Sequence, residues 1–187
     1  MFDSNYTFSG KHGKLLNFLA QFPQGPQGAE QARENTGGAK FFERYIDVYM
    51  NAAVFGLLYA RKSKKDSSPR ANSVNILASA FARERENCIF LYRMVMLLAE
   101  SDKLTLEERI NRAFYYDNFT AEELQKNMEL FNDYVRGGIE VMYEKFTEDC
   151  RTPEDYLEKS YEVITAFQKE LEGYSYKDEI EKLINNA

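Results

Sequence analysis

Tryptophan is absent from this chain of 187 residues, histidine occurs once, cysteine twice and proline four times. Each scarcity removes a class of chemistry. A ferritin-like di-iron centre draws on two Glu-x-x-His pairs from facing helices, and a lone His12 cannot supply them. His-rich zinc hydrolases fall with it, as does any Ser-His-Asp triad not built on His12. His12 itself lies in a short polar segment and is expected to face solvent. Cys88 and Cys150 are far apart and form no Cys-x-x-Cys pair, so neither a disulfide framework nor a zinc knuckle is expected. Cys88, inside an apolar run, reads as a small buried side chain in a reducing, cytoplasmic setting.

Long apolar runs are also missing. The longest, Cys88 to Ala99, is broken by Arg93 and is too short to span a bilayer. The start, Met1-Phe2-Asp3-Ser4-Asn5, has neither the basic residues nor the apolar stretch of a secretory signal. A membrane location is therefore not expected. No Gly-x-Gly-x-x-Gly occurs, and Gly10-Lys11-His12-Gly13-Lys14-Leu15 looks superficially like a phosphate loop but lacks its spacing, with no strong strand expected before it. No metal site and no cofactor are indicated. The net charge of −6 argues against wholesale wrapping by nucleic acid.

What remains is rich in helical periodicity and in Tyr and Phe, with 13 and 14 copies. Such rings ordinarily fill a helical core, and tyrosine also serves at interfaces. A first short helix is predicted over Lys11 to Gln21. The Gly-, Pro- and Gln-rich stretch 22–38 reads as a mobile loop. From Ala39 to about Arg61 apolar residues recur at steps of three and four, with no charge between Asn51 and Ala60, so this helix is expected to be buried on most sides. A second mobile loop, basic and proline-containing, is placed at about 62–72.

Ser73 can cap a long helix to about Ala99, which reads as the central helix of the domain. Thr105-Leu106-Glu107-Glu108 and Thr120-Ala121-Glu122-Glu123 match the capping box, and Thr152-Pro153-Glu154-Asp155 puts proline at a first helical position. Helices are thus expected over Leu106–Phe114, Ala121–Lys145 and Pro153–Glu172. Gly137-Gly138 should mark a kink or a close helix contact. Gly173 can end the third of these helices, and Ser175 can start a last short one through Ile184. The fold expected is all-α, an irregular bundle of about seven helices around a long central helix, in a single domain spanning residues 1–187.

Three polar features stand out. Asp47 and Asn51 on one apolar helix, and Glu84 and Arg93 on the next, would be costly to bury unpaired. They form either a structural network or a small cleft in which Glu84 binds or deprotonates a ligand; buried charges more often serve structure. Arg61, Lys62, Lys64, Lys65 and Arg70 could contact phosphates in a salt-sensitive way, although a basic loop is more often simply solvated. The aromatics of the C-terminal third (Tyr143, Phe146, Tyr156, Tyr161, Phe167, Tyr174 and Tyr176) fill the core or form a docking surface.

Three stretches carry a resemblance: Phe8-Ser9-Gly10-Lys11-His12; Phe42 to Tyr49 with Gly56 to Lys62; and Tyr134-Val135-Arg136-Gly137-Gly138-Ile139-Glu140. Together they resemble a family of small uncharacterised bacterial helical proteins that occur near DNA-modification or phage-defence genes. The resemblance implies an accessory subunit and transfers no catalytic motif. The functional expectation is a non-catalytic adaptor in a bacterial multiprotein system, with a protein partner or self-association. The alternatives are a nucleic-acid-binding protein using the 61–70 loop and a small enzyme or sensor using Glu84, Arg93 and Asp47.

Overall fold

The computed structural model describes residues 1–20, 41–66, 73–115 and 119–172, with residues 170–172 described by backbone alone. The expected loop 22–38, the Arg70 end of the basic loop, Gly173 and the short last helix lie outside them. In chain order the elements are β1 (Tyr6–Phe8), α1 (Gly10–Leu19), α2 (Tyr45–Leu58), β2 (Val74–Ile76), α3 (Ala78–Arg83), α4 (Arg85–Leu98), α5 (Leu106–Phe114), α6 (Ala121–Thr147) and α7 (Pro153–Glu172). Among the described residues the fold is all-α apart from one two-stranded ribbon. It forms two compact units, Met1–Glu144 and Lys145–Ala187. Among the described residues no helix is long and apolar enough to cross a membrane.

The three helix starts expected from capping residues form as expected. Thr105 Oγ accepts from the Glu108 amide while Glu108 accepts from the Thr105 amide at 2.8 Å. Thr120 and Glu123 repeat the exchange. Before α7, Thr152 caps the Asp155 amide and Asp155 accepts from the Thr152 amide. Each reciprocal pair satisfies two amides that a helix start would otherwise leave open.

The region after Ser73 differs from the expectation of one long helix. Val74-Asn75-Ile76 pairs antiparallel with Tyr6-Thr7-Phe8, Tyr6 opposite Ile76. Val74, Ile76 and Phe8 point inward, while Asn75 and Thr7 face out and bond to each other at 3.1 Å. This two-residue alternation, with β-branched residues inside, favours strand over helix. Asn5, not Ser73, then caps the helix that follows: its Oδ1 accepts from the Ala78 amide at 2.8 Å. A break at Glu84 separates α3 from α4.

The central helix is α6, not the 73–99 segment. Residues 131–139 of α6 are buried without interruption. That requires neighbours on every side, and on one side the neighbour is backbone. A Cβ added to Gly138 would overlap the Ala52 carbonyl oxygen, and one added to Gly56 would overlap the Tyr134 carbonyl. A Cβ on Gly137 would strike the Arg61 carbonyl, where the chain leaves α2. The glycine pair therefore marks a close contact, and α6 runs through it unbroken. Around the crossing pack Tyr49, Phe8, Phe81, Phe131, Phe2 and Tyr92, many ring pairs meeting edge to face. The Tyr49 hydroxyl donates to Asn132 at 2.9 Å, so even its polar tip is satisfied. Cys88 is fully buried, as its surroundings in the sequence indicate, and burial pushes its thiol up to about 12.

Gly138→Ala is expected to destabilise the protein by about 3 kcal/mol, since the obstructing atoms are backbone and cannot swing aside. Urea unfolding followed by circular dichroism checks this; a loss under about 0.5 kcal/mol, typical of an indifferent surface site, would mean that the two helices do not meet there.

Candidate functional site

The polar residues expected between apolar helices are not brought into one buried cleft. Glu84 stands at the α3–α4 break, where its carboxylate accepts from Asn87 at 2.9 Å and from Arg44 at 2.8 Å. These two donors hold its pKa below the usual value. Arg44 also donates to Asp47 through Nε at 3.0 Å. The result is a chain of ion pairs at the surface, which closes the break. Asn51 is exposed and donates to the Asp47 carbonyl one turn back. Arg93 lies nine residues beyond Glu84, which on a helix means about 13 Å along and about half a turn round. Its guanidinium lies 5.2 Å from the Phe114 ring centroid. The expectation of burial fails for Asn51 and is met only in part for Asp47 and Glu84, because the helix that would have enclosed them is interrupted. A shallow cavity of about 240 Å³ nearby is lined by Arg44, Tyr45, Asn75, Ser79 and Arg83 among others, and not by Glu84 or Asp47.

The basic residues after α2 are largely neutralised within the chain. Arg61 donates to Glu140 and Glu144 at 3.3 and 3.1 Å. Lys62 lies 3.6 Å from Glu100 and over the Tyr134 ring, and Lys64 bonds to Asp133. Lys65 is exposed. The segment 61–66 is thus pinned along α6. The Ser63 amide donates to the Asp133 carbonyl at 2.9 Å, and Arg136 Nε donates to the Ser63 carbonyl at 2.8 Å.

The true polar centre of the molecule lies along this contact. Glu129, Asp133, Arg136, Glu140 and Glu144 recur at steps of three and four, so they form one stripe on α6. Arg136, wholly buried, donates to Asp133, Glu129, the Tyr6 hydroxyl and the Ser63 carbonyl. Burial pushes the Tyr6 phenol up to about 12, so it stays protonated. One turn on, Glu140 receives Lys11 at 2.7 Å, His12 at 2.9 Å and Arg61. Burial alone would raise the Glu140 pKa, but hydrogen bonds from Lys11, Ser63 and His12 outweigh it and hold the group at about 2.

His12 is only 1% exposed, against the expectation of a solvent-facing ring. Burial keeps its pKa below the ordinary value despite the neighbouring carboxylate. It is neutral at pH 7, with Nε2–H directed at Glu140. Ser63 Oγ lies 3.1 Å from the same nitrogen. A hydrolytic triad needs the hydroxyl on one ring nitrogen and the carboxylate on the other, so Ser63, His12 and Glu140 cannot relay a proton in that way. The amide of Lys11, at the start of α1, donates to Asp66 at 2.8 Å. The helix start that superficially looked like a phosphate loop is therefore occupied by the chain's own carboxylate. Among the described residues no group of three or more His, Cys, Asp or Glu is placed to hold a metal.

A second buried arginine serves a helix end. Arg112 donates to the carbonyls of Met96 and Ala99 and to Glu100, placing a cation at the C-terminus of α4. Sequence reasoning missed His12, Ser63, Asp133, Arg136, Glu140 and Arg112. The only available signal was the three-and-four spacing of charge along α6, which reads equally well as a solvated face. Comparison with known proteins adds nothing to the geometry: no protein-family model, curated protein or solved structure matches the chain.

The network has a signed pH dependence. Folded His12 binds its proton less readily than the unfolded chain, so this contribution is complete above pH 6.5 and is lost as pH falls below it. Glu140 acts in the same direction lower down, its contribution fading from pH 4.5 towards 2. Urea midpoints measured against pH should fall in two steps on acidification. His12→Gln should abolish the upper step, and Glu140→Gln should shrink the lower one, which Glu84, Glu108, Glu123 and Asp155 share, and cost about 2 kcal/mol at pH 7.

Proposed function

We propose that this chain is a non-catalytic helical subunit of a bacterial multiprotein system, and that it docks a protein partner through the α4–α5 hairpin. The observation that carries the reading is a contrast. The titratable groups of the α6 network are taken up by bonds within the chain, while large apolar side chains on α4 and α5 stand in solvent. Leu106, Ile110 and Phe114 recur every four residues along one edge of α5, and Leu106 is 61% exposed. Arg93 over Phe114 sets that edge beside α4, where Phe90 is 66% exposed. Apolar residues grouped in this way, with an arginine among them, have the composition of an interface core. The bacterial setting rests on the resemblance carried by the stretches around Phe8, Phe42 and Tyr134.

Nucleic-acid binding through the 61–70 loop draws less support, since Arg61, Lys62 and Lys64 already face carboxylates. The enzyme reading draws less still, since Glu84 and Arg93 lie on different parts of the helix pair.

The test is sedimentation velocity of the purified chain mixed with the product of each adjacent gene. One of them should co-sediment, and Phe90→Ser with Ile110→Ser should weaken that complex at least about thirtyfold, as expected for truncated interface anchors. No complex with any neighbour, or one indifferent to both substitutions, would refute the proposal.

A further inference from the structure

Among the described residues, α7 carries large apolar side chains over more than one side. At about 100° per residue, Tyr156, Ser160, Val163 and Phe167 share one side of α7, and each is half-buried. Leu157, Tyr161 and Ile164 lie on the adjoining side at steps of four and three, and they are 74%, 73% and 54% exposed. Leucine, tyrosine and isoleucine in such a row, more than half open to water, are costly to leave unpaired. The row is flanked on one side by exposed charge: Glu154 and Glu158 towards the N-terminal end and Lys169 towards the C-terminal end.

We infer that α7 pairs with α7 of a second copy of this chain, antiparallel and centred on Tyr161. This goes beyond the docking proposed for α4–α5 and does not depend on it. In that register Leu157 of one copy meets Ile164 of the other, and the two Tyr161 rings meet across the two-fold axis. Antiparallel pairing brings the same flank of each helix together, so Glu154 falls beside Lys169 of the second copy, and the symmetry makes this contact twice. A parallel pair would instead set each flank against the opposite flank of the other helix, so that Glu154 and Lys169 would not meet. The complementarity of Glu154 and Lys169 along one flank therefore favours a second copy, in the antiparallel direction. The patch is small, so the dimer forms reversibly at micromolar rather than nanomolar concentrations.

Sedimentation equilibrium of the full chain, from low-micromolar to several-hundred-micromolar concentration, tests this. The average mass should rise from 21.8 kDa towards twice that value. Tyr161→Arg sets two guanidinium groups on the axis and should hold the chain monomeric throughout. Glu154→Lys should weaken the dimer several-fold, and adding Lys169→Glu should restore it. The chosen sites are exposed, so each variant should fold, which circular dichroism checks. A wild-type chain that stays monomeric, or a dimer unmoved by Tyr161→Arg, overturns the inference. Failure of the double charge reversal to rescue overturns the antiparallel register. The Phe90 and Ile110 variant should dimerise normally, which separates this result from the fate of the α4–α5 proposal.

Discussion

Everything else in the larger unit follows from the approach of α2 and α6 to backbone contact. Ala52 and Gly56 on one helix and Tyr134 and Gly138 on the other leave no room for a side chain between them. Contact this close gains dispersion energy over the whole crossing, because no atom stands off from its neighbour. It also denies α6 any solvent along that side. With the aromatic cluster of Tyr49, Phe81 and Phe131 beside it and the 61–66 segment laid along it, the helix is enclosed from 131 to 139. Three of those nine buried residues, Asn132, Asp133 and Arg136, are polar.

Burial of Asn132, Asp133 and Arg136 on such a helix forces the rest of the polar architecture. A guanidinium without water needs several acceptors. Arg136 finds them in two carboxylates, a phenol and the Ser63 carbonyl. Those partners come from the first strand, from the segment after α2 and from α6 itself. The ion pairs thereby tie together pieces far apart in sequence. Glu140 does the same for α1, through Lys11 and His12. These groups resemble a catalytic cluster in composition, yet their mutual geometry is that of a clamp.

The degree to which the sequence disclosed this differs from element to element, for physical reasons. Thr105, Thr120 and Thr152 announce their helices because capping is settled within four residues. The Gly137-Gly138 pair announces a kink or a close contact, and the backbone of Ala52 and Arg61 beside it decides for the contact. The three-residue ribbon gave no comparable sign: Val74-Asn75-Ile76 is too short for its alternation to outweigh the helical pattern that follows, and its partner lies 68 residues away. The central helix was misplaced for a related reason. Hydropathy favours the Cys88–Ala99 stretch, whereas the buried part of α6 contains two charges, an amide and two glycines that look polar until their partners are known. His12 looked exposed because its neighbours in sequence are polar, although its neighbours in space enclose it. In each case the deciding interaction is long-range, and local pattern carries no trace of it.

The most direct measurement of this account is native-state hydrogen exchange at the amides of residues 131–139. Enclosure on every side predicts that they exchange only when the larger unit unfolds as a whole, with one shared free energy equal to that from urea unfolding. Exchange of these amides through a local opening, at a free energy well below the global value and while Tyr49 and Phe81 remain packed, would contradict it.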